Sequence, residues 1–196
     1  MRTLFLRLLL FVVLPWTLVS SVCLGSSSLE GRWEQTCSNG LRRIHDFTNL
    51  KSSLVESSYL DQRCTQELMD FKTTGQFSTL GSHIDFVFEK VSVRLRNEQQ
   101  VHRFNLRAVC GFINWELNKF YDITGRSCDL FLIDQAFQVP ARGDQRFGIF
   151  QIQENVQNGL RLLFFGQGNA ELNSKTPDKR PQTYQLKPFL FQKSSK

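Results

Sequence analysis

The residues able to do covalent or metal chemistry in this chain are led by four cysteines: Cys37, Cys64, Cys110 and Cys128. An even number of cysteines is typical of disulfides in an exported protein, and no CxxC pair is present to suggest a redox or zinc site. Four cysteines allow three connectivities. Their order along the chain and the compact loops it gives favour Cys37–Cys64 and Cys110–Cys128.

The histidines and carboxylates give little support for catalysis. His45, His83 and His102 are scattered and belong to no HExxH or HxH array. The chain has no GxSxG nucleophile elbow and no glycine-rich phosphate loop. Five aspartates could supply an acid/base pair only if the fold brought them together: Asp61, Asp122, Asp129, Asp134 and Asp144. We therefore predict a protein that is not an enzyme and that uses no cofactor and no metal.

The N-terminal segment is typical of a secretory signal peptide. Arg2 and Arg7 precede an apolar run over 8–18, and small residues follow up to Ser26. This pattern predicts cleavage near Gly25, a signal peptide over 1–25 and one β-barrel domain over 26–196. The apolar run is too short for a transmembrane anchor, so we expect a secreted or periplasmic protein.

Two alternative interpretations, a lipoprotein anchor and a nucleic-acid-binding surface, are less favoured by the sequence. Cys23 could be the lipidated first residue of a lipoprotein, but Val22 before it is bulkier than such a site prefers. The formal net charge of +6 includes arginines that alternate with apolar residues, as at Arg94 and Arg96. That spacing is typical of a solvated sheet face and not of a nucleic-acid stripe, so we expect no nucleic-acid partner.

The elements that must position these residues are nearly all strands, because apolar residues recur with a period of two. Asn39-Gly40 and Asn158-Gly159 predict tight hairpin turns. A long irregular stretch over 166–183 predicts an exposed loop. Besides the strand around Trp33, the alternation predicts strands over 41–47, 53–59, 67–75, 101–110, 130–133, 147–156, 160–165 and 185–191.

One further strand contains a shift in its pattern. Apolar residues have even numbers from Ile84 to Phe88 and odd numbers from Val91 to Leu95. A β-bulge near Glu89-Lys90 would absorb the extra residue, and such bulges help a sheet to close into a barrel. The sequence thus predicts about ten short strands in a barrel or a sandwich.

The aromatic composition bears on what such a barrel would contain. The chain has 18 phenylalanines but only three tryptophans and three tyrosines, which favours an apolar interior. A filled core and a hollow barrel with a ligand cavity are equally compatible with this bias. For a hollow barrel, alternation on three predicted strands selects six lining residues: Phe86, Phe88, Phe104, Leu106, Leu162 and Phe164.

A set of short motifs resembles a known family. Gly31-x-Trp33 resembles the calycin signature of lipocalins, in which the tryptophan closes one end of the barrel. The wider set resembles the extracellular module of the adenomatosis polyposis coli down-regulated family, which comprises membrane-anchored Wnt antagonists of animals and single-domain bacterial relatives. The motifs are Gly31-x-Trp33, Arg42-Arg43, Tyr59 to Cys64, Cys110-Gly111, Trp115-Glu116, Tyr121 to Thr124, Leu162 to Gln167, and Lys179 to Gln185 with Arg180, Pro181 and Tyr184.

That resemblance implies a lipocalin-like barrel with a hydrophobic pocket for lipid, including the acyl group of Wnt ligands. It also implies structural roles for Gly31, Trp33, Trp115, Arg180, Pro181 and Tyr184. Unlike the animal proteins, this chain is expected to have one module and no C-terminal anchor. We expect Trp33 to be buried beside a cation, either Arg161 or Arg180.

Together these observations predict an all-β fold, an antiparallel lipocalin-like (calycin-type) barrel with two disulfides. The predicted function is non-enzymatic binding of a lipid or acyl chain, free or attached to a lipidated protein. The alternative is a protein-binding β-domain with a filled core, which would use the 166–183 loop and an exposed edge strand. Oligomeric state is left open by the sequence.

Overall fold

The computed structural model of the protein describes residues 29–133, 135–155 and 159–192. The predicted signal peptide and Asn158 of the second predicted turn lie outside these residues. Within them, the helix and strands are β1 (Gly31–Ser38), β2 (Leu41–Thr48), β3 (Lys51–Tyr59), β4 (Glu67–Leu80), β5 (His83–Leu95), α1 (Glu98–Leu106), β6 (Phe120–Asp122), β7 (Ser127–Cys128), β8 (Phe137–Gln138), β9 (Gln145–Asn155), β10 (Leu160–Gln167), β11 (Thr183–Tyr184) and β12 (Phe189–Gln192).

Eight of the strands form a closed antiparallel β-barrel. They follow the order β1-β2-β3-β4-β5-β9-β10-β12, and β12 pairs with β1 to close the barrel. Asn39 and Gly40 between β1 and β2 both have positive φ, at 54° and 71°, as the primed hairpin turns require. The predicted all-β antiparallel barrel is confirmed.

A β-bulge at Glu89 divides β5, as the change in parity predicts. Thr74 of β4 pairs with Lys90, but the next residue, Gly75, pairs with Phe88, so Glu89 has no partner in the ladder. The extra residue keeps the apolar side chains on the inner face of the sheet on both sides of the bulge. One continuous inner face therefore runs along the whole of β4 and β5.

The continuous face is covered at its two ends by two separate cores. The first, the barrel core, consists of Leu29, Trp33, Phe47, Phe77, Ile84, Phe150, Leu163 and Phe189. The second, the insert core, lies under residues 96–144, which connect β5 to β9 and are called the insert below. Its buried members are Met69, Val91, Val93, Leu95, Phe104, Val109, Cys110, Trp115, Tyr121, Ile123, Cys128, Leu130 and Val139.

The predicted strand over 101–110 is wrong, because this segment of the insert begins in helix α1. Asn97 caps the helix, its side chain accepting a hydrogen bond from the Gln100 backbone N–H at 3.2 Å. Phe104 faces the insert core and is fully buried, whereas Leu106 is 72% exposed. The apolar alternation that suggested a strand thus reflects one buried and one solvated position on a helix.

Two other predicted strands are also corrected. Residues 130–133 form a turn in which the Asp129 carboxylate accepts the Ile133 backbone N–H at 3.0 Å, and Leu132 has a φ of 56°. The predicted strand over 185–191 begins only at Phe189, after Pro188. A proline has no N–H to donate to a ladder, so the strand starts just beyond it.

Both predicted disulfides are confirmed. Cys37 at the end of β1 is bonded to Cys64 in the loop before β4, with a Cα–Cα distance of 6.0 Å. Cys110, after helix α1, is bonded to Cys128 in β7, with a Cα–Cα distance of 4.4 Å. The first disulfide joins the end of β1 to the loop before β4, and the second links two segments of the insert above its core.

Trp33 anchors the barrel core. It is fully buried, and its indole N–H donates to the Leu29 carbonyl at 2.7 Å. The Arg161 guanidinium lies over the indole, 5.2 Å from the ring centroid. Of the two cations predicted beside Trp33, the structure selects Arg161, a placement that favours cation–π attraction.

We expect Trp33→Ala to lower the free energy of unfolding by about 3 to 5 kcal/mol, because it empties a core position and removes a buried hydrogen bond. Denaturant unfolding monitored by circular dichroism measures the change. Phe131→Ala is the matched control, since Phe131 is 64% exposed and its truncation should cost about 0.5 kcal/mol or less. Equal effects of the two substitutions would contradict the assignment of Trp33 to the core.

Candidate functional site

A cavity of about 680 Å³ occupies the lumen between the barrel core and the insert core. Its volume is within the range of small-molecule binding sites, about 300 to 1,000 Å³. Strands β2 to β5 form one wall, and the insert and the loop before β11 form the opposite side. The principal lining residues are His45, Leu54, Glu56, Phe71, Thr73, Phe86, Phe88, Phe137, Val139, Pro140, Arg146 and Lys175.

Three residues that pair across neighbouring strands line one side of the cavity. His45 of β2 pairs with Leu54 of β3, and Leu54 pairs with Thr73 of β4. Residues directly opposite each other in a sheet share a face, so all three side chains project into the lumen. The bulge leaves this row between the two cores, where neither core fills the space.

His45 is the most enclosed polar group of the site. Its ring stacks on Phe47 at a centroid distance of 4.0 Å and on Phe86 at 5.7 Å, and Phe165 lies at 5.3 Å. The side chain is only 5% exposed, and no described residue forms a hydrogen bond with its ring nitrogens. Burial among aromatic rings lowers the pKa of His45 to about 3, so the imidazole is neutral at pH 7.

Glu56 lines the cavity, and its charge is compensated by a neighbouring arginine. The Arg43 guanidinium donates to the Glu56 carboxylate at 2.6 Å and to the Gln35 side-chain oxygen at 3.0 Å. Gln35 in turn donates to the Lys187 carbonyl at 2.9 Å. Because each charge already has a partner, this network gives the wall a polar strip without a free ion.

The rim of the cavity carries cations. Arg146 lies 5.7 Å from the Phe88 ring centroid and is exposed. Lys175 lines the same side and is also exposed. Among the residues that the structure describes, neither side chain forms an ion pair, although Asp144 is nearby on the lining. The rim can therefore attract an anionic group from solvent.

Only two of the six predicted lining residues border this cavity. Phe86 and Phe88 line it, while Phe104 belongs to the insert core and Leu106 is exposed on α1. The prediction for Leu162 and Phe164 is also wrong. Their neighbours Leu163 and Phe165 face inward, so Leu162 and Phe164 lie on the outer face of β10.

The cause of the error on β10 is its continuous apolar run over 162–165, which has no alternation from which to read a face. His45, Leu54 and Phe71 also line the cavity, although the sequence did not predict them there. For His45 the sequence did contain a signal, because His45 shares a face of a predicted strand with Phe47. The other face of that strand carries Ile44 and Asp46.

The residues given structural roles by the resemblance occupy buried or constrained positions. A Cβ at Gly31 would lie 2.6 Å from the Phe191 ring, and Gly31 has a φ of 116°. Arg180 pairs with Asp85 at 2.5 Å and donates to the Gly148 carbonyl at 2.9 Å. Pro181 packs closely against Gly166, where an added Cβ would lie 2.7 Å from the Cβ atom of Pro181.

The other two structural residues support the insert and the end of the chain. Trp115 is 2% exposed and donates from its indole N–H to the Val109 carbonyl at 3.2 Å. Its ring meets Phe104 edge-to-face at 5.3 Å. Tyr184 lies in β11, where it pairs with Gly166 of β10. Each placement is structural, and none of these side chains lines the cavity.

Of the five candidate aspartates, Asp134 lies outside the described residues, and Asp61 is held by contacts within its own loop. Asp61 accepts backbone hydrogen bonds from Arg63, Thr65 and Gln66, and the Gln66 bond is the main cause of its lowered pKa. Across 29–133, 135–155 and 159–192, no group of three His, Cys, Asp or Glu residues is placed to hold a metal ion. In the same ranges no helix has the length and apolar character to cross a bilayer.

No protein-family model matches this chain, and no curated protein matches it.

We expect His45 to make folding stability fall at acid pH. Its pKa is about 3 when folded and about 6.5 when unfolded, so between these values the unfolded chain binds a proton that the folded chain does not. The free energy of unfolding should therefore drop by about 3 kcal/mol between pH 6.5 and pH 4 through this residue.

Denaturant unfolding at a series of pH values tests this expectation. His45→Phe should remove that part of the pH dependence, because it keeps an aromatic ring in the cage. His83→Phe, at an exposed position, is the control and should leave the pH dependence as it is. Identical pH profiles for wild type and His45→Phe would contradict the burial of a neutral imidazole.

Proposed function

We propose that this protein is a non-enzymatic, lipocalin-like carrier that holds a lipid or acyl chain in the barrel lumen. The observation that carries the proposal is the cavity of about 680 Å³ bordered by the rings of Phe71, Phe86, Phe88 and Phe137. Each methylene group buried there contributes about 0.8 kcal/mol, so a chain of eight or ten methylenes offsets much of the cost of association.

The position of the cations favours an amphiphilic ligand with an anionic head. Arg146 and Lys175 lie at the rim, and the aromatic rings lie deeper. A fatty acid fits this arrangement with its chain inward and its carboxylate at the rim, where it stays partly hydrated. The charged head then avoids the cost of burial in a site of low dielectric constant.

The two disulfides support the further proposal that the protein works in an oxidising compartment, secreted or periplasmic. The resemblance to the adenomatosis polyposis coli down-regulated family adds the acyl group of a lipidated protein to the proposed ligands. An open lumen favours this carrier function over a protein-binding domain with a filled core, because a filled barrel leaves no volume for a chain.

We expect Thr73→Trp to weaken binding of a fluorescent fatty acid at least about tenfold, since the indole would occupy the lumen that the chain needs. Lys72→Trp is the matched control: it introduces the same ring on the adjacent residue, which faces the outside of β4. Fluorescence titration gives both affinities, and thermal unfolding verifies that each variant is folded.

Equal affinity of the two folded variants would place the ligand outside the lumen. If wild-type protein bound no acyl probe below the solubility limit of the probe, the carrier function itself would be wrong.

The rim cations give a separate expectation. Arg146→Gln should weaken binding of a fatty acid about three- to tenfold at low salt, and should leave binding of its methyl ester unchanged, because only the acid carries a charge for Arg146 to attract. Arg142→Gln, an exposed arginine that does not line the cavity, is the control. Competition titration measures the affinities of wild type and both variants for acid and ester, and a similar loss for acid and ester would exclude a headgroup at this rim.

A further inference from the structure

His45 presents a feature that the binding of a plain hydrocarbon chain does not use. A neutral imidazole has one N–H donor and one nitrogen acceptor. His45 is only 5% exposed and lines the cavity, and no described residue bonds to either ring nitrogen. Neither nitrogen is among the buried side-chain atoms that lack a partner, so both open onto the cavity, where a bound group can exchange a hydrogen bond with them.

The surroundings of His45 determine what kind of group that is. Phe47, Phe86 and Phe165 surround the ring, and the nearby Arg43 is already bonded to Glu56. A carboxylate at this depth would therefore have no free cation to balance it, and its desolvation would be costly. A neutral oxygen, as in a hydroxyl or a carbonyl group, fits the site because it can exchange a hydrogen bond with neutral imidazole.

We propose that His45 is a specificity-determining residue, and that the lumen selects acyl chains which carry a hydroxyl or carbonyl oxygen on the buried part of the chain. This inference rests on the proposed carrier function. It narrows the ligand class from any long-chain amphiphile to oxygenated chains with an anionic head at the rim. A site built to hydrogen-bond one oxygen discriminates against the analogue that lacks it, because its own polar group is then left unpaired.

A series of ω-hydroxy fatty acids of increasing length, each compared with the unsubstituted acid of equal length, tests the proposal with the intact protein. The chain length that places the hydroxyl at His45 should bind wild-type protein about tenfold more tightly than its unsubstituted partner. Competition against a fluorescent fatty acid measures both affinities. Keto acids with the oxygen at the preferred depth test a carbonyl in the same way.

His45→Phe should abolish the preference while it retains binding of the unsubstituted acid, since phenylalanine keeps the stacking but has no donor or acceptor. His102→Phe, on the exposed side of α1, should retain the preference and is the control. His45→Gln provides a second variant, because it restores a donor and an acceptor and should recover part of the preference.

The outcomes separate this inference from the function on which it rests. Binding of unsubstituted acids with no preference for any oxygenated chain would overturn the role of His45 and leave the carrier function standing. Such a result would mean that water satisfies the imidazole. A preference that persists in folded His45→Phe would also overturn it, because another residue would then be reading the oxygen.

Discussion

The bulge at Glu89 is the constraint on which the lumen depends. Without it, the apolar residues of β5 beyond Lys90 would face away from the barrel, and the insert would have no surface to cover. The bulge brings β5 close to β4, where a Cβ at Gly75 would lie 2.1 Å from the Val87 carbonyl oxygen. A glycine is therefore needed opposite the bulge, and Gly75 and Glu89 together permit the bend in the sheet.

From this bulge follow the two cores and the space between them. Below it, Trp33 and its neighbours close the barrel, and above it the insert packs on Val91, Val93 and Leu95. The Cys110–Cys128 crosslink holds the insert in a shape that covers those residues. The cavity lies where one core ends and the other begins, so its aromatic lining is a consequence of the same apolar face.

Period-two patterning predicted much of this fold, because strands with one buried face show it directly in the sequence. It located β1 to β5 and the bulge, and cysteine order gave both crosslinks. It failed in the insert, where the spacing of Asn97 and Gln100 is an N-cap signal that overrides the apparent alternation of Phe104 and Leu106. Capping at Asn97 and burial of Phe104 in the insert core, and not the apolar alternation, decided that segment.

The site was harder to predict than the fold for a physical reason. A residue lines the cavity only if its side chain faces inward and if the space beside it is not filled by other side chains. Alternation along a strand can at most group the residues that share a face. Phe86 and Phe88 were found because they alternate clearly, whereas the run Leu162 to Phe165 carries no such information. His45 could be placed on a face, but only the three-dimensional arrangement of Phe47, Phe86 and Phe165 shows that it is caged and unpartnered.

Native mass spectrometry of the protein purified from its own host, followed by organic extraction and identification of what is released, tests the central claim most directly. We predict a mass above that of the disulfide-bonded polypeptide and an extracted amphiphile with an acyl chain. A protein whose mass is that of the polypeptide alone, and which takes up no acyl chain when lipid is added back, would contradict it.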